Sequence, residues 1–130
     1  MTATVLDASV LIAAMHSLDV HHQSVSAYLK QAVIDTTLYV PALNLAEALV
    51  GQVRCGRGTE AAQAIKALGI AVIADEFIDP LALASLRVNT GLKLPDCVLL
   101  AAALHLNANL ATTDKALAKA AQKLQIALAL

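Results

Sequence analysis

The chain reads as an α/β protein with a mostly parallel sheet of about five strands flanked by helices. Short apolar runs rich in strand-forming residues recur along it, among them Val5-Leu6, Leu38-Tyr39-Val40 and Ile70-Ala71-Val72-Ile73. Between them lie longer stretches whose apolar residues fall at helical spacing. Strands that alternate with helices are joined by crossovers, and crossovers make parallel neighbours. No internal repeat, low-complexity tract or linker breaks the 130 residues. That length suits one domain, 1–130, with a core of its own.

The first strand covers residues 4–7 and climbs through Val5 and Leu6 to Asp7, and a short helix follows over 9–15. Asp19 to Ser24 forms a loop and helix start. The second helix runs to about Val33, with Val25, Leu29 and Val33 on one stripe. Asp35-Thr36-Thr37 is turn-like, and Leu38-Tyr39-Val40 is a strand that Pro41 stops. From Leu43 to about Val53 the spacing predicts an amphipathic helix that buries Leu43, Ala46, Val50 and Val53. Gly56-Arg57-Gly58 ends it, and Thr59 is positioned to cap a helix through Leu68. Gly69 closes that helix and the strand Ile70–Ile73 follows.

Asp79-Pro80 opens the next helix, whose stripe holds Leu83, Leu86 and Thr90 and which Gly91 ends. Pro95 opens an apolar helix from Asp96 to about Leu106. Asn107-Ala108-Asn109 leads into a strand near Leu110-Ala111. Thr112-Thr113-Asp114 then begins a helix carrying Lys115, Lys119 and Lys123, and Gln125 to Ala129 suits a final strand.

Composition narrows the class. Apolar residues make up 58% and mean hydropathy is +0.68, high for a soluble domain. An excess of that size implies surface covered by a partner, such as a second copy. No stretch approaches the roughly 18 apolar residues of a membrane span. No basic region precedes the first apolar run, and Asp7 interrupts it early, so no signal peptide is expected and the protein is expected to be cytoplasmic. Cys55 and Cys97 make neither a disulfide framework nor a zinc site. The adjacent His21 and His22 point apart on a helix and form no ligand pair.

Four acids carry the chemistry. In a parallel α/β sheet ligands gather at the carboxyl ends of the strands, where Asp7 stands; Glu47, Asp96 and Asp114 are expected at or just after such ends. Each aspartate has a structural alternative as a helix cap or first-turn acid. Glu47 has none of that kind, being mid-helix in a run almost free of charge. Strands lie about 4.8 Å apart, so these carboxylates can converge from distant positions. Like charges at close range raise one another's pKa, and a hard divalent cation relieves them. Mg²⁺ takes oxygen ligands and keeps waters for chemistry, and a metal pair can activate a water against a phosphodiester. With the four acids set aside, six remain against nine Lys and Arg, a balance of about +3 that is compatible with a phosphate-backbone substrate.

At these residues the sequence resembles the PIN domain, and in particular the VapC type of toxin. The matching pieces are Val5-Leu6-Asp7-Ala8-Ser9, Val40-Pro41-Ala42-Leu43-Asn44-Leu45-Ala46-Glu47, Leu92-Lys93-Leu94-Pro95-Asp96 and Leu110-Ala111-Thr112-Thr113-Asp114. The resemblance covers essentially the whole chain and implies a three-layer PIN-like α/β/α fold. It also implies a Mg²⁺- or Mn²⁺-dependent endoribonuclease, commonly a homodimer, held inactive by a cognate VapB-type antitoxin. Asp7, Glu47, Asp96 and Asp114 correspond to the family's acidic, metal-holding quartet. Ser9 and Thr112 match its small hydroxyl positions, with Asn44 a polar neighbour, all three set to hydrogen-bond a carboxylate or a coordinated water. Cys55-Gly56-Arg57-Gly58 and Lys123-Leu124-Gln125 depart from the family pattern, in regions that bear on partner and substrate choice. Arg54, Arg57 and Lys93 are candidates for contact with RNA or antitoxin.

Two readings from other classes compete. A phosphoacceptor signalling domain needs an acidic pair at the first strand, and only Asp7 is there. A non-catalytic PIN-like module would bind RNA or protein without cutting.

Overall fold

The computed structural model describes residues 2–130. Its elements are β1 (Thr2–Leu6), α1 (Ala8–Met15), α2 (His22–Asp35), β2 (Thr36–Pro41), α3 (Ala42–Arg54), α4 (Gly58–Ala67) and β3 (Ala71–Ile73). After the short 3₁₀ turn Asp75–Phe77 come α5 (Pro80–Thr90), α6 (Leu94–Leu106), β4 (Asn109–Ala111) and α7 (Lys115–Lys123). The strands form one sheet in the order β3-β2-β1-β4, and every neighbouring pair is parallel.

β1 lies inside the sheet, and its alternation divides the core. Val5 packs with Leu99, Leu100, Leu110, Leu117 and Ala121, under α6 and α7. Leu6 packs with Leu11, Val25, Leu29, Leu38 and Ile65, under α1, α2 and α4. Successive strand side chains point to opposite faces, so one short strand seeds both halves of an α/β/α sandwich. Because all strands run the same way, Leu6, Pro41 and Ala111 end at one edge of the sheet.

Several expectations change. The fifth strand is reduced to a bridge: Leu128 pairs with Leu110, with Leu110 N–H donating to Ala127 O and Ala129 N–H to Leu110 O. β4 is only three residues long, too short to template more. No turn separates α2 from β2; the chain enters the strand at Thr36, and the β-branched Thr36 and Thr37 pair with Thr2 and Ala3. On α2 it is Ala32, not Val33, that joins Val25 and Leu29 in the core.

The buried face of α3 is turned from the expected one. Leu43, Val50 and Val53 are exposed, Val53 by 63%, while Asn44 and Ala48 are buried. Burial of Asn44 against the start of α6 fixes that rotation, since its amide finds a partner there. Thr59 caps nothing. α4 begins at Gly58 behind Arg57, whose N–H donates to Gln52 O, so a backbone hairpin joins α3 to α4. α5 starts behind Asp79, whose carboxylate accepts from Leu81 N–H, and ends at Gly91 with φ 72°, the left-handed turn that glycine permits.

Candidate active site

Asp7 leaves β1 at the position that would cap α1, yet its side chain caps nothing. One oxygen, Oδ2, instead accepts from Ser9 Oγ at 2.8 Å and from Thr112 Oγ1 at 2.7 Å. Thr112 follows β4 directly, and the β1–β4 pairing, Leu6 opposite Ala111, delivers it. The Asp7 N–H donates to Ala111 O at 3.0 Å and extends that ladder. Ser9 Oγ accepts in turn from Thr113 N–H, and Thr112 Oγ1 from Asp114 N–H. Asp7 is 6% exposed, and a buried charge is tolerated only when hydrogen-bonded. Two hydroxyl donors meet that need.

Asp114 does act as a cap: its Oδ1 accepts from Ala116 and Leu117 N–H at 2.9 and 3.1 Å. Asp96 lies in the first turn of α6, behind Pro95, with no cap bond to its helix. Burial raises its pKa above the ordinary carboxylate value, and the charges of Asp7, Asp114 and Glu47 push it the same way against Lys93. Three acids from three other segments thus act on Asp96. Only Asp7 and Asp114 come from strand ends, however. Glu47 stands well inside α3, exposed, and Asp96 follows α5 rather than a strand.

Asn44 ties the two helical acids together. It is 0% exposed, and its Nδ2 donates to Pro95 O at 3.0 Å and reaches Glu47 Oε1 at 3.5 Å. Its Oδ1 is buried without a partner among the described residues. In the sequence Asn44 stands out only as a polar position of the family one turn before Glu47, and spacing does not reveal that it grips α6.

The donors fit a hard divalent cation in kind: carboxylate oxygens, mutual repulsion at Asp96 and an orphaned amide oxygen. As they stand, no three Asp, Glu, His or Cys side chains among the described residues are grouped closely enough to hold one ion. Mg²⁺ binds through one or two carboxylates and retains its waters, which suits an open ring of acids better than a closed cage.

The remaining candidates separate. Lys93 precedes α6 and its charge reaches Asp96. Arg54 lies in the last turn of α3, about 10 Å further along the axis than Glu47. Arg57 borders a depression with Met15, Gln52 and Glu60 that none of the four acids lines. His22 Nδ1 bonds Ala13 O and His105 stacks on Phe77. Cys55 is exposed and Cys97 buried, both free.

Solved structures share this architecture. The chain is similar to VapBC2 from Rickettsia felis bound to a DNA fragment from their promoter, with a TM-score of 0.72, 16% identity and coverage of 98% of this chain and 97% of that one. A toxin–antitoxin complex from Klebsiella pneumoniae gives 0.65 at 21% identity, covering 86% and 87%. PAE2754 from Pyrobaculum aerophilum gives 0.63 at 20% identity, covering 92% and 79%. At such identities the likeness is one of fold. No curated protein matches the chain. The sequence pattern of the PIN domain matches residues 4–123, from β1 to the end of α7, and the chain belongs to the PIN domain family.

Proposed function

We propose that the protein is a Mg²⁺- or Mn²⁺-dependent endoribonuclease and the toxin of a pair with a VapB-type antitoxin. One observation carries the reading: Asp7, Glu47 and Asp114 all press on Asp96 at one end of the sheet. Membership of the PIN family supports a nuclease, and the toxin–antitoxin complexes of like fold support the pairing. Exposed Leu43, Val50 and Val53 on α3, with Leu81 and Val88 on α5, support apolar surface for an antitoxin or a second copy of the chain. No described helix is long and apolar enough to cross a membrane, in keeping with a cytoplasmic toxin.

Asp7, Asp96, Asp114 and Glu47 would hold the cation. When bound, it supplies charge neutralisation and a water of lowered pKa. The chain supplies position. Ser9 and Thr112 aim Asp7 by occupying Oδ2, and the first turn of α7 fixes Asp114 through Oδ1. Glu47, exposed and held only by a long contact to Asn44, is free to take the proton of the attacking water on its carboxylate. Lys93 meets a phosphate of the substrate. No nucleophilic side chain is needed.

Single-stranded RNA incubated with the protein should be cut with Mg²⁺ or Mn²⁺ and left intact with EDTA. Asp7→Asn should lower the rate about a thousandfold or more, several kcal/mol of transition-state stabilisation, while the fold persists. Cleavage by that variant at the wild-type rate would rule the assignment out. The cap that Asp114 makes on α7 and the spread of the carboxylates favour a second reading, a PIN-like module that binds RNA or protein without cutting. RNA binding indifferent to EDTA, with no cleavage under any divalent ion, would select it.

A further inference from the structure

A groove of about 340 Å³ runs between α7 and the turn from α5 to α6. Lys119 and Lys123 rim one wall above the apolar Ala116, Ala120 and Leu124, and Asn89, Thr90 and Leu92 form the other. The two lysines are one helical turn, about 6 Å, apart. No acidic side chain lines the groove among the described residues, and α7 from Lys115 to Lys123 carries no acid. The opposite wall is held in shape: Arg87 donates to Gly91 O at 3.0 Å and to Leu92 O at 2.7 Å, and Thr90 Oγ1 accepts from Leu92 N–H.

One end of the groove adjoins Asp114, whose Oδ1 accepts from the N–H of the lining residue Ala116. Leu92, also in the lining, leads through Lys93 to Asp96. A chain of phosphates leaving the acidic ring therefore meets cations in succession along α7. The groove offers no ring for base stacking, and its two charged groups are cations, so a phosphate backbone finds its attraction there in Lys119 and Lys123 and sequence plays little part.

We infer that Lys119 and Lys123 form a track for the backbone of single-stranded RNA flanking the scissile phosphate. The inference rests on the nuclease reading for what occupies the groove, and binding tests it apart from cleavage. In EDTA, where nothing is cut, wild type should bind a labelled single-stranded RNA of about a dozen nucleotides more tightly than a trinucleotide. Lys119→Gln/Lys123→Gln should lose that length advantage. With two phosphate contacts gone, the slope of log affinity against log salt should fall by about 1.4, so that wild type's advantage shrinks about sevenfold between 50 and 200 mM salt. Lys30→Gln/Lys66→Gln, on α2 and α4, should bind as wild type does.

Wild-type affinity in the Lys119/Lys123 variant, with its circular dichroism unchanged, overturns the track. So does an equal loss in the Lys30/Lys66 control, which would mean diffuse charge. Loss of affinity for an acidic peptide with RNA binding intact overturns it too, since the groove would then serve a protein. If wild type binds RNA and never cuts it, the nuclease reading falls, and a loss of length advantage in the variant still upholds the track.

Discussion

Asp7 and Asp96 carry the same chemical group, near enough for one charge to act on the other, and the fold treats them in opposite ways. Asp7 is built into the sheet, where β1 and β4 deliver two hydroxyls to a single carboxylate oxygen. Asp96 has no cap bond, and three like charges crowd it. Its position comes instead from the backbone it rides on, because Asn44 grips the carbonyl of Pro95 beside it. One corner is satisfied and rigid; the other stores repulsion. If the proposed cation binds here, the protein prepares one half of its site, and relief of like-charge repulsion at Asp96 favours binding at the other.

If Asp7's corner is the rigid anchor, loosening it should do the most damage. Thr112→Val removes the shorter bond to Asp7 and strips Asp114 N–H of its acceptor. Loss of such an orienting group typically lowers metal affinity or activity 10- to 100-fold, and the buried groups left unpaired cost about 1–3 kcal/mol. Mg²⁺ titration of cleavage and urea unfolding should show both. Ser9→Ala should do less, because Ser9 is half-buried and its bond is longer. Equal rates in wild type and Thr112→Val would mean that the hydroxyls decorate Asp7 and do not aim it.

The Asn44 clamp is the next test. Asn44→Ala removes a fully buried side chain and the bond to Pro95 O, at a cost of about 1–3 kcal/mol. Because it also deletes the orphaned Oδ1, part of that cost is returned. Activity should fall through kcat, as Glu47 and Asp96 lose their mutual placement, with RNA affinity in EDTA unchanged. A fall in RNA affinity alone would move Asn44 from the acidic ring to the RNA surface.

Much of this was legible in the chain itself, and the reasons differ by region. At the Asp7 corner an apolar strand ending on a lone acid is a local pattern, whereas Ser9 and Thr112 are marked only by the resemblance to the PIN domain, and parallel pairing of β1 with β4 closes them on Asp7. α5 and α6 carried their boundaries in Asp79-Pro80, Gly91 and Pro95, each a residue with a backbone reason for its place. The face of α3 was not legible. Leu43, Val50 and Val53 make the better apolar stripe, yet the helix buries Asn44, because a hydrogen bond to α6 and an apolar outer surface overrule the pattern. The same limit applies to the tail, expected as a final strand over 125–129: its sequence says nothing about how short its partner β4 is, and only a bridge forms. Glu47 and Asp96 are expected at or just after strand ends and neither stands there, because Glu47 lies inside α3 and Asp96 follows α5 and Pro95; the lack of other charge around Glu47 is the part of the reading that does not depend on a strand.

The smallest expected effect separates the two corners most cleanly. Burial and three negative neighbours raise the Asp96 pKa, so the folded chain holds a proton there more tightly than the unfolded chain does. Linkage then fixes the sign: the stability this gives is complete below the ordinary carboxylate range and is lost as pH rises through the raised value. The metal-free protein should therefore lose a little stability between mildly acid pH and pH 7. Asp96→Asn takes away that part of the slope and should raise the metal-free Tm at pH 7 by no more than about a few degrees, the group being only partly buried and screened by solvent. Mg²⁺ at a hundred times its dissociation constant should stabilise wild type by about 2.7 kcal/mol, and the variant should show much less of that gain. Differential scanning calorimetry at two pH values, with and without Mg²⁺, measures all four quantities. A variant that melts lower without metal and keeps the full Mg²⁺ shift would make Asp96 a first-turn acid serving α6, and the contrast with Asp7 would be one of helix against sheet and not of stored repulsion against rest.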